Sequence, residues 1–216
     1  MIVHPFEIKV ALIGNVSAGK TTVLNALLRD KFGEVSMKRA TAGINYFHLH
    51  SHAASDGSSV QPEATDASNI RSATSILTEI SQDNIELRKS EMIQEKHFDI
   101  LAENELVPMR DDTRLVFIDI PGINEANTFS KYSDYVSMKW DTFDCVVAIL
   151  DGKQGVNTQD QVALLNLVKT NLKKKAVPII VLCNKVDDPE DMEQAELVHE
   201  VRKEVKNIFG ATAPTF

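Results

Sequence analysis

Gly14-Asn15-Val16-Ser17-Ala18-Gly19-Lys20-Thr21 fits the spacing G-x-x-x-x-G-K-[ST]. A glycine-rich turn of this kind aims successive backbone N–H groups at one point, and a helix starting there adds partial positive charge. With an ammonium and a hydroxyl beside it, such a turn is a cradle for nucleotide phosphates. Lys20 can reach the β- and γ-phosphates, and the Thr21 hydroxyl can hold Mg²⁺. Asn15, Ser17, Ala18 and Thr22 complete the expected contact set around Gly14 and Gly19. A second station is Asp119-Ile120-Pro121-Gly122. Its carboxylate can hold a Mg²⁺-bound water, and the Gly122 N–H can meet a γ-phosphate, so the segment would sense that group. A third is Asn184-Lys185-Val186-Asp187. The Asp187 carboxylate can accept from both N1–H and the exocyclic amine of guanine, a donor pair that adenine lacks. The Lys185 stem can lie flat over the base. Each motif is short; their force lies in their order and setting.

The setting is a strand before each motif. Phe6-Glu7-Ile8-Lys9-Val10-Ala11-Leu12-Ile13, Leu115-Val116-Phe117-Ile118 and Ile179-Ile180-Val181-Leu182-Cys183 are apolar runs of strand length. A helix pattern leaves the first motif over residues 22–28. The pattern predicts an α/β fold: a mostly parallel sheet with helices on both faces and the ligand at the carboxyl ends of the strands. Further strands are expected over residues 44–50 and 143–150, and helices over 127–140, 160–172 and 191–209. Residues 51–68, rich in Ser, Ala, Asp and Gly, read as a flexible surface insertion. Residues 69–101 read as a helical insertion, with Ile93, Ile100 and Leu101 on one face of a helix over 85–101. His48, His50 and His52 alternate as strand neighbours do. With no Cys or carboxylate close by in sequence, they make a poor zinc site.

Composition bounds the classes. With 216 residues, 43% apolar and 25% charged, the chain suits one soluble globular domain. A net charge of −8 argues against a general nucleic-acid-binding surface. No apolar run approaches the ~20 residues of a membrane span. Cys145 and Cys183 both sit in strand-like apolar runs, which favours core thiols in a reducing, cytoplasmic setting.

On these residues the chain resembles a guanine-nucleotide-binding domain, and more narrowly the dynamin superfamily of large GTPases. The narrower resemblance rests on Ser17-Ala18 inside the phosphate loop, on Asp119-Ile120-Pro121-Gly122, and on Arg39-Ala40-Thr41-Ala42-Gly43, which looks like the family's first switch. It implies a P-loop GTPase fold over residues 1–216, GTP as substrate and Mg²⁺ held by Thr21, Thr41 and Asp119. It implies Ser17, Lys20 and Thr41 as catalytic groups. It further implies GDP as product, a homodimer formed through this domain, and a location peripheral to a membrane. Two positions depart from the pattern. Val16 stands where classical dynamins carry a water-positioning glutamine, and Ile123 where Ras-like enzymes do. A module that binds nucleotide with little hydrolysis, or a ribosome- or tRNA-associated GTPase, shares the same three motifs. Ala213-Pro214-Thr215-Phe216 resembles the start of one more strand, so the resemblance implies a domain truncated before its final strand and helix. The stalk and membrane-binding parts of a full relative would lie beyond it.

Overall fold

The computed structural model describes residues 6–33, 43–50, 70–87, 92–101, 113–124, 129–188 and 190–210. The expected flexible insertion at 51–68, the switch threonine Thr41 and the segment 213–216 lie outside the described residues.

Six strands form one sheet in the order β3-β2-β4-β1-β5-β6. They are β1 (Phe6–Gly14), β2 (Ile44–His50), β3 (Glu95–Leu101), β4 (Thr113–Asp119), β5 (Cys145–Asp151) and β6 (Ile179–Asn184). Every pairing is parallel except β2 with β4. β1 is central and ends in four buried residues, as a strand covered on both faces must. On one face lie α1 (Lys20–Leu28) and α2 (Ala73–Leu87). Leu24, Leu28, Ile76 and Ile80 pack there against Leu12, Phe47, Phe98 and Ile149. On the other lie α3 (Phe129–Lys139), α4 (Gln159–Leu172) and α5 (Met192–Phe209), which bury Tyr135, Leu165 and Val205 against Ala11, Ile13 and Ala148.

The expected helix over 85–101 is corrected here. α2 stops at Leu87, and residues 95–101 are the edge strand β3, paired in parallel with β2 from Ile44↔Glu95 to His50↔Leu101. The helical insertion at 69–101 is therefore one helix and one strand. The reason is alternation: Phe98 and Ile100 are buried beneath α2. On that face Lys96 pairs with Glu79 at 2.8 Å and also with Asp83 on α2. On the opposite face Glu95 pairs with Lys139 of α3 at 3.0 Å, and Asp99 accepts from His50 at 2.7 Å. β2, α2 and β3 thus make a β–α–β unit added at the sheet edge.

The fold also supplies the histidines with carboxylates that sequence proximity did not. His48 Nδ1 lies 3.2 Å from Glu7 Oε1, and its Nε2 lies 2.9 Å from His97 Nδ1. Burial pushes the His48 imidazole below its usual range, with Glu7 pulling the other way. Among the described residues no group of three or more His, Cys, Asp or Glu could hold a metal ion. His52 lies outside them.

α3 is tied down in its C-terminal half and just beyond its end. The Tyr135 hydroxyl hydrogen-bonds the Tyr46 hydroxyl of β2 at 2.7 Å. Just past Lys139 comes Trp140, 1% exposed, whose Nε1–H donates to the Lys175 carbonyl at 3.0 Å beside the Phe143 ring.

Candidate functional site

The three motifs meet at the carboxyl ends of β1, β4 and β6. α1 begins at Lys20 with no side chain capping its first turn, so its leading amides stay directed at the loop. Gly19 precedes it at φ 93°, and a Cβ there would meet Asn184 Nδ2 at 2.0 Å. Only glycine suits both conditions. Ser17 takes a left-handed φ of 62° at the exposed lip of the loop. Lys20 is buried, and its Nζ donates to the carbonyls of Gly14 at 3.2 Å and Asn15 at 2.9 Å. Burial pulls this ammonium down from 10.5 to about 8, against the opposing pull of the Asp119 carboxylate.

Asp119, 3% exposed, ends β4 beside Leu12 of β1 and Asn45 of β2. Gly122 presses on the loop: a Cβ there would lie 2.4 Å from Val16 Cγ2 and 2.7 Å from Val16 N. The Ile123 N–H donates to the Gly14 carbonyl at 3.2 Å, which fastens this segment to the end of β1. Ile123 itself is 1% exposed and belongs to the core. Thr21 is half-buried and Thr22 exposed at the start of α1. An all-oxygen set of a threonine hydroxyl and an aspartate suits Mg²⁺, which keeps most of its other positions for water and phosphate oxygens.

At β6 the Asn184 Nδ2 donates to the Ala18 carbonyl at 2.9 Å, joining the third motif to the phosphate loop. Lys185 adopts a left-handed φ of 65°, and its Nζ lies 2.6 Å from Asp151 Oδ2. Asp187 is exposed and pairs with Lys153 at 2.7 Å. The Gln194 Oε1 accepts from the backbone N–H of Asp187 at 2.8 Å and of Asp188 at 3.1 Å, fixing the turn. The fold thus ties the three motifs together through Lys20, Ile123 and Asn184, with Asp187 three residues beyond Asn184, while Thr41 lies outside the described residues.

Three participants escaped the sequence reading. Asp151 orients Lys185, Gln194 shapes the turn, and Asn124 bridges the second motif to the phosphate loop. The Val16 N–H donates to Asn124 Oδ1 at 2.7 Å, and Asn124 Nδ2 donates to Asp160 Oδ2 of α4 at 2.7 Å. The one signal for Asn124 was a polar residue next to a buried isoleucine.

Against known proteins, residues 10–211 match the model of the dynamin family. No curated protein matches. Among solved structures, an oligomerised bacterial dynamin pair, described as a mechanism for long-range sensing and tethering of membranes, is similar with a TM-score of 0.55 at 17% identity. The match covers 96% of this chain and 31% of that one. The GTPase-like domain of S. cerevisiae Ski7, bound to GTP, matches with a TM-score of 0.55 at 21% identity, covering 99% of this chain and 42% of that one. The same domain bound to GDP and inorganic phosphate gives 0.52 at 19%, covering 99% and 43%. The chain therefore spans less than half the length of each of these structures, and the likeness is one of fold.

Proposed function

This chain belongs to the dynamin family, and from that premise we propose that it binds guanine nucleotide and hydrolyses GTP to GDP and phosphate. The observation that carries the reading is the bond from Asn184 Nδ2 to the Ala18 carbonyl at 2.9 Å. It couples the base-reading turn to the phosphate loop, so one nucleotide would engage both. Lys20 balances charge on the β- and γ-phosphates, Gly122 donates its N–H to the γ-phosphate, and Asn184, Lys185 and Asp187 read guanine. Water forms the new bond to the γ-phosphorus as the bond to the β–γ bridging oxygen breaks. That oxygen leaves with the electron pair on GDP, and the water's proton ends on the released phosphate or solvent. Mg²⁺, held by Thr21, Asp119 and Thr41, would neutralise charge on the β- and γ-oxygens. By the family resemblance, Ser17 and Thr41 would help place the attacking water.

A second reading, a nucleotide-gated binding module with little turnover, is favoured by the apolar Val16 and the core-bound Ile123. Competition titration followed by phosphate release separates the two. GTP and GDP should outcompete ATP by at least ~100-fold, the scale of losing two hydrogen bonds to a charged acceptor. Equal affinity for ATP sinks the base assignment, and absence of released phosphate leaves only the binding module.

Self-association through this domain, in the cytoplasm and next to a membrane, is part of the same proposal. The family supports self-association and the membrane setting, and the two free cysteines, Cys145 and Cys183, support only a reducing compartment. No helix of the described residues is long and apolar enough to cross a membrane. Specific activity should climb with protein concentration, because a second molecule would order the switches. A flat specific activity over a wide range counts against it.

A pH dependence follows from Lys20. In the nucleotide-free protein its proton is lost near pH 8, whereas phosphates would hold that proton on. Nucleotide binding then takes up a proton above pH 8. Affinity for GDP is expected to stay level up to about pH 7.5 and to fall about tenfold between pH 7 and 9. Calorimetry in buffers of different ionisation enthalpy would register the uptake, and a level affinity across that window would refute the buried-ammonium account.

A further inference from the structure

We infer that Asn124 supplies the water-orienting carboxamide that Val16 and Ile123 lack, and that Asp160 sets its orientation. The inference rests on the proposed hydrolysis of GTP. Ile123 cannot take the role, since it is 1% exposed and turning it outward would open the core beneath α3. The next residue carries the functional group instead. Asn124 Oδ1 accepts from the Val16 N–H at 2.7 Å, and its Nδ2 donates to Asp160 Oδ2 at 2.7 Å. These partners fix which way the amide faces. Rotated by half a turn, it would set an NH₂ against the Val16 N–H and an oxygen against a carboxylate.

The location is as specific as the orientation. Gly122, whose N–H is assigned to the γ-phosphate, packs on the same residue, with Val16 N only 2.7 Å from where a Cβ would stand. Asn124 therefore sits on the rim of the terminal phosphate position, two residues from the group that senses it. A carboxamide has two N–H donors and two acceptor lone pairs. The two bonds above use one of each among the described residues. What is left, one lone pair and one N–H, is the set needed to accept a hydrogen from the attacking water and donate to a phosphate oxygen. Asp160 is a positioning residue: it lies in the first turn of α4, which Thr158 caps by accepting from the Gln161 N–H at 3.3 Å, so its carboxylate is carried on a fixed element. A side chain already held by two hydrogen bonds loses little freedom when it engages water.

The test is single-turnover phosphate release at saturating GTP and Mg²⁺, with calorimetric Kd values for GDP and a non-hydrolysable GTP analogue. It uses the full 216-residue chain. Asn124→Ala and the near-isosteric Asn124→Leu should slow release by about 100-fold, the scale of a misplaced reacting group, with both Kd values within twofold of wild type. Asn124→Gln should recover part of the rate, and Asp160→Asn should slow release by about threefold to tenfold at unchanged Kd. A purely structural latch would behave otherwise, with nucleotide affinity and Tm falling together with the rate. That pattern overturns the inference, as does an unaltered rate in Asn124→Ala. If wild type binds GTP but releases no phosphate, the proposed hydrolysis fails first and takes this role with it.

Discussion

Replacing Lys20 by alanine is expected to abolish measurable GTP and GDP binding at neutral pH while leaving the nucleotide-free fold in place. Magnitudes decide both halves. Charge-assisted bonds to phosphate are worth about 1.5–3 kcal/mol each, and Lys20 would make more than one, so the loss exceeds about 3 kcal/mol, or more than ~100-fold in Kd. The cost to the fold is smaller. Lys20 gives up two hydrogen bonds, to the Gly14 and Asn15 carbonyls. It also releases a buried ammonium whose pKa is lowered from 10.5 to about 8, a penalty of about 3 kcal/mol at neutral pH. The two effects nearly offset. Lys20→Met, which keeps the packed stem, should melt within a few degrees of wild type. Calorimetry and thermal unfolding on the same samples check both, and undiminished affinity in either variant would refute the phosphate-loop assignment.

Asp187→Asn should exchange the preferred base. Guanine presents two donors to the carboxylate, and an amide can accept only one of them and repels the other. GDP affinity should fall by at least ~100-fold, while xanthosine diphosphate, whose 2-oxo group accepts where guanine donates, should gain. The ion pair that Asp187 makes with Lys153 does not stand in the way. Both side chains are more than half exposed, 62% for Lys153 and 69% for Asp187, so water screens the pair and it contributes little. The turn itself is held through Gln194 and the Asp187 backbone, so the substitution alters the recognition group and not its mount. A variant that still prefers GDP over the xanthine nucleotide would show that another residue reads the base.

What the sequence disclosed followed physical strength. β5 is a buried run and β1 becomes one over its last four residues, both have neighbours on both sides, and these apolar stretches mark them directly. The three motifs were legible because each couples residue type to a fixed offset from a strand end. β3 was not, because only Phe98 and Ile100 enter the core there. Apart from the exposed Leu101, its other positions are charged or polar, with partners far away in sequence such as Lys139 and His50. A seven-residue stretch with two core positions carries almost the same pattern in either period. Asn124, Asp151 and Gln194 escaped for a related reason: a side-chain amide or carboxylate that bridges two loops acquires its partners only when the sheet brings those loops together.

The seat of Trp140 has a practical consequence. The chain contains a single tryptophan, enclosed at the end of α3, bonded to the Lys175 carbonyl, and one helix away from the segment that would meet the γ-phosphate. Its emission is therefore a signal from one known place. Any displacement of α3 that strains the bond or admits water would shift the spectrum, with no dye and no second indole to confuse it. The molecule carries its own optical gauge, readable in a stopped-flow instrument on the unaltered chain.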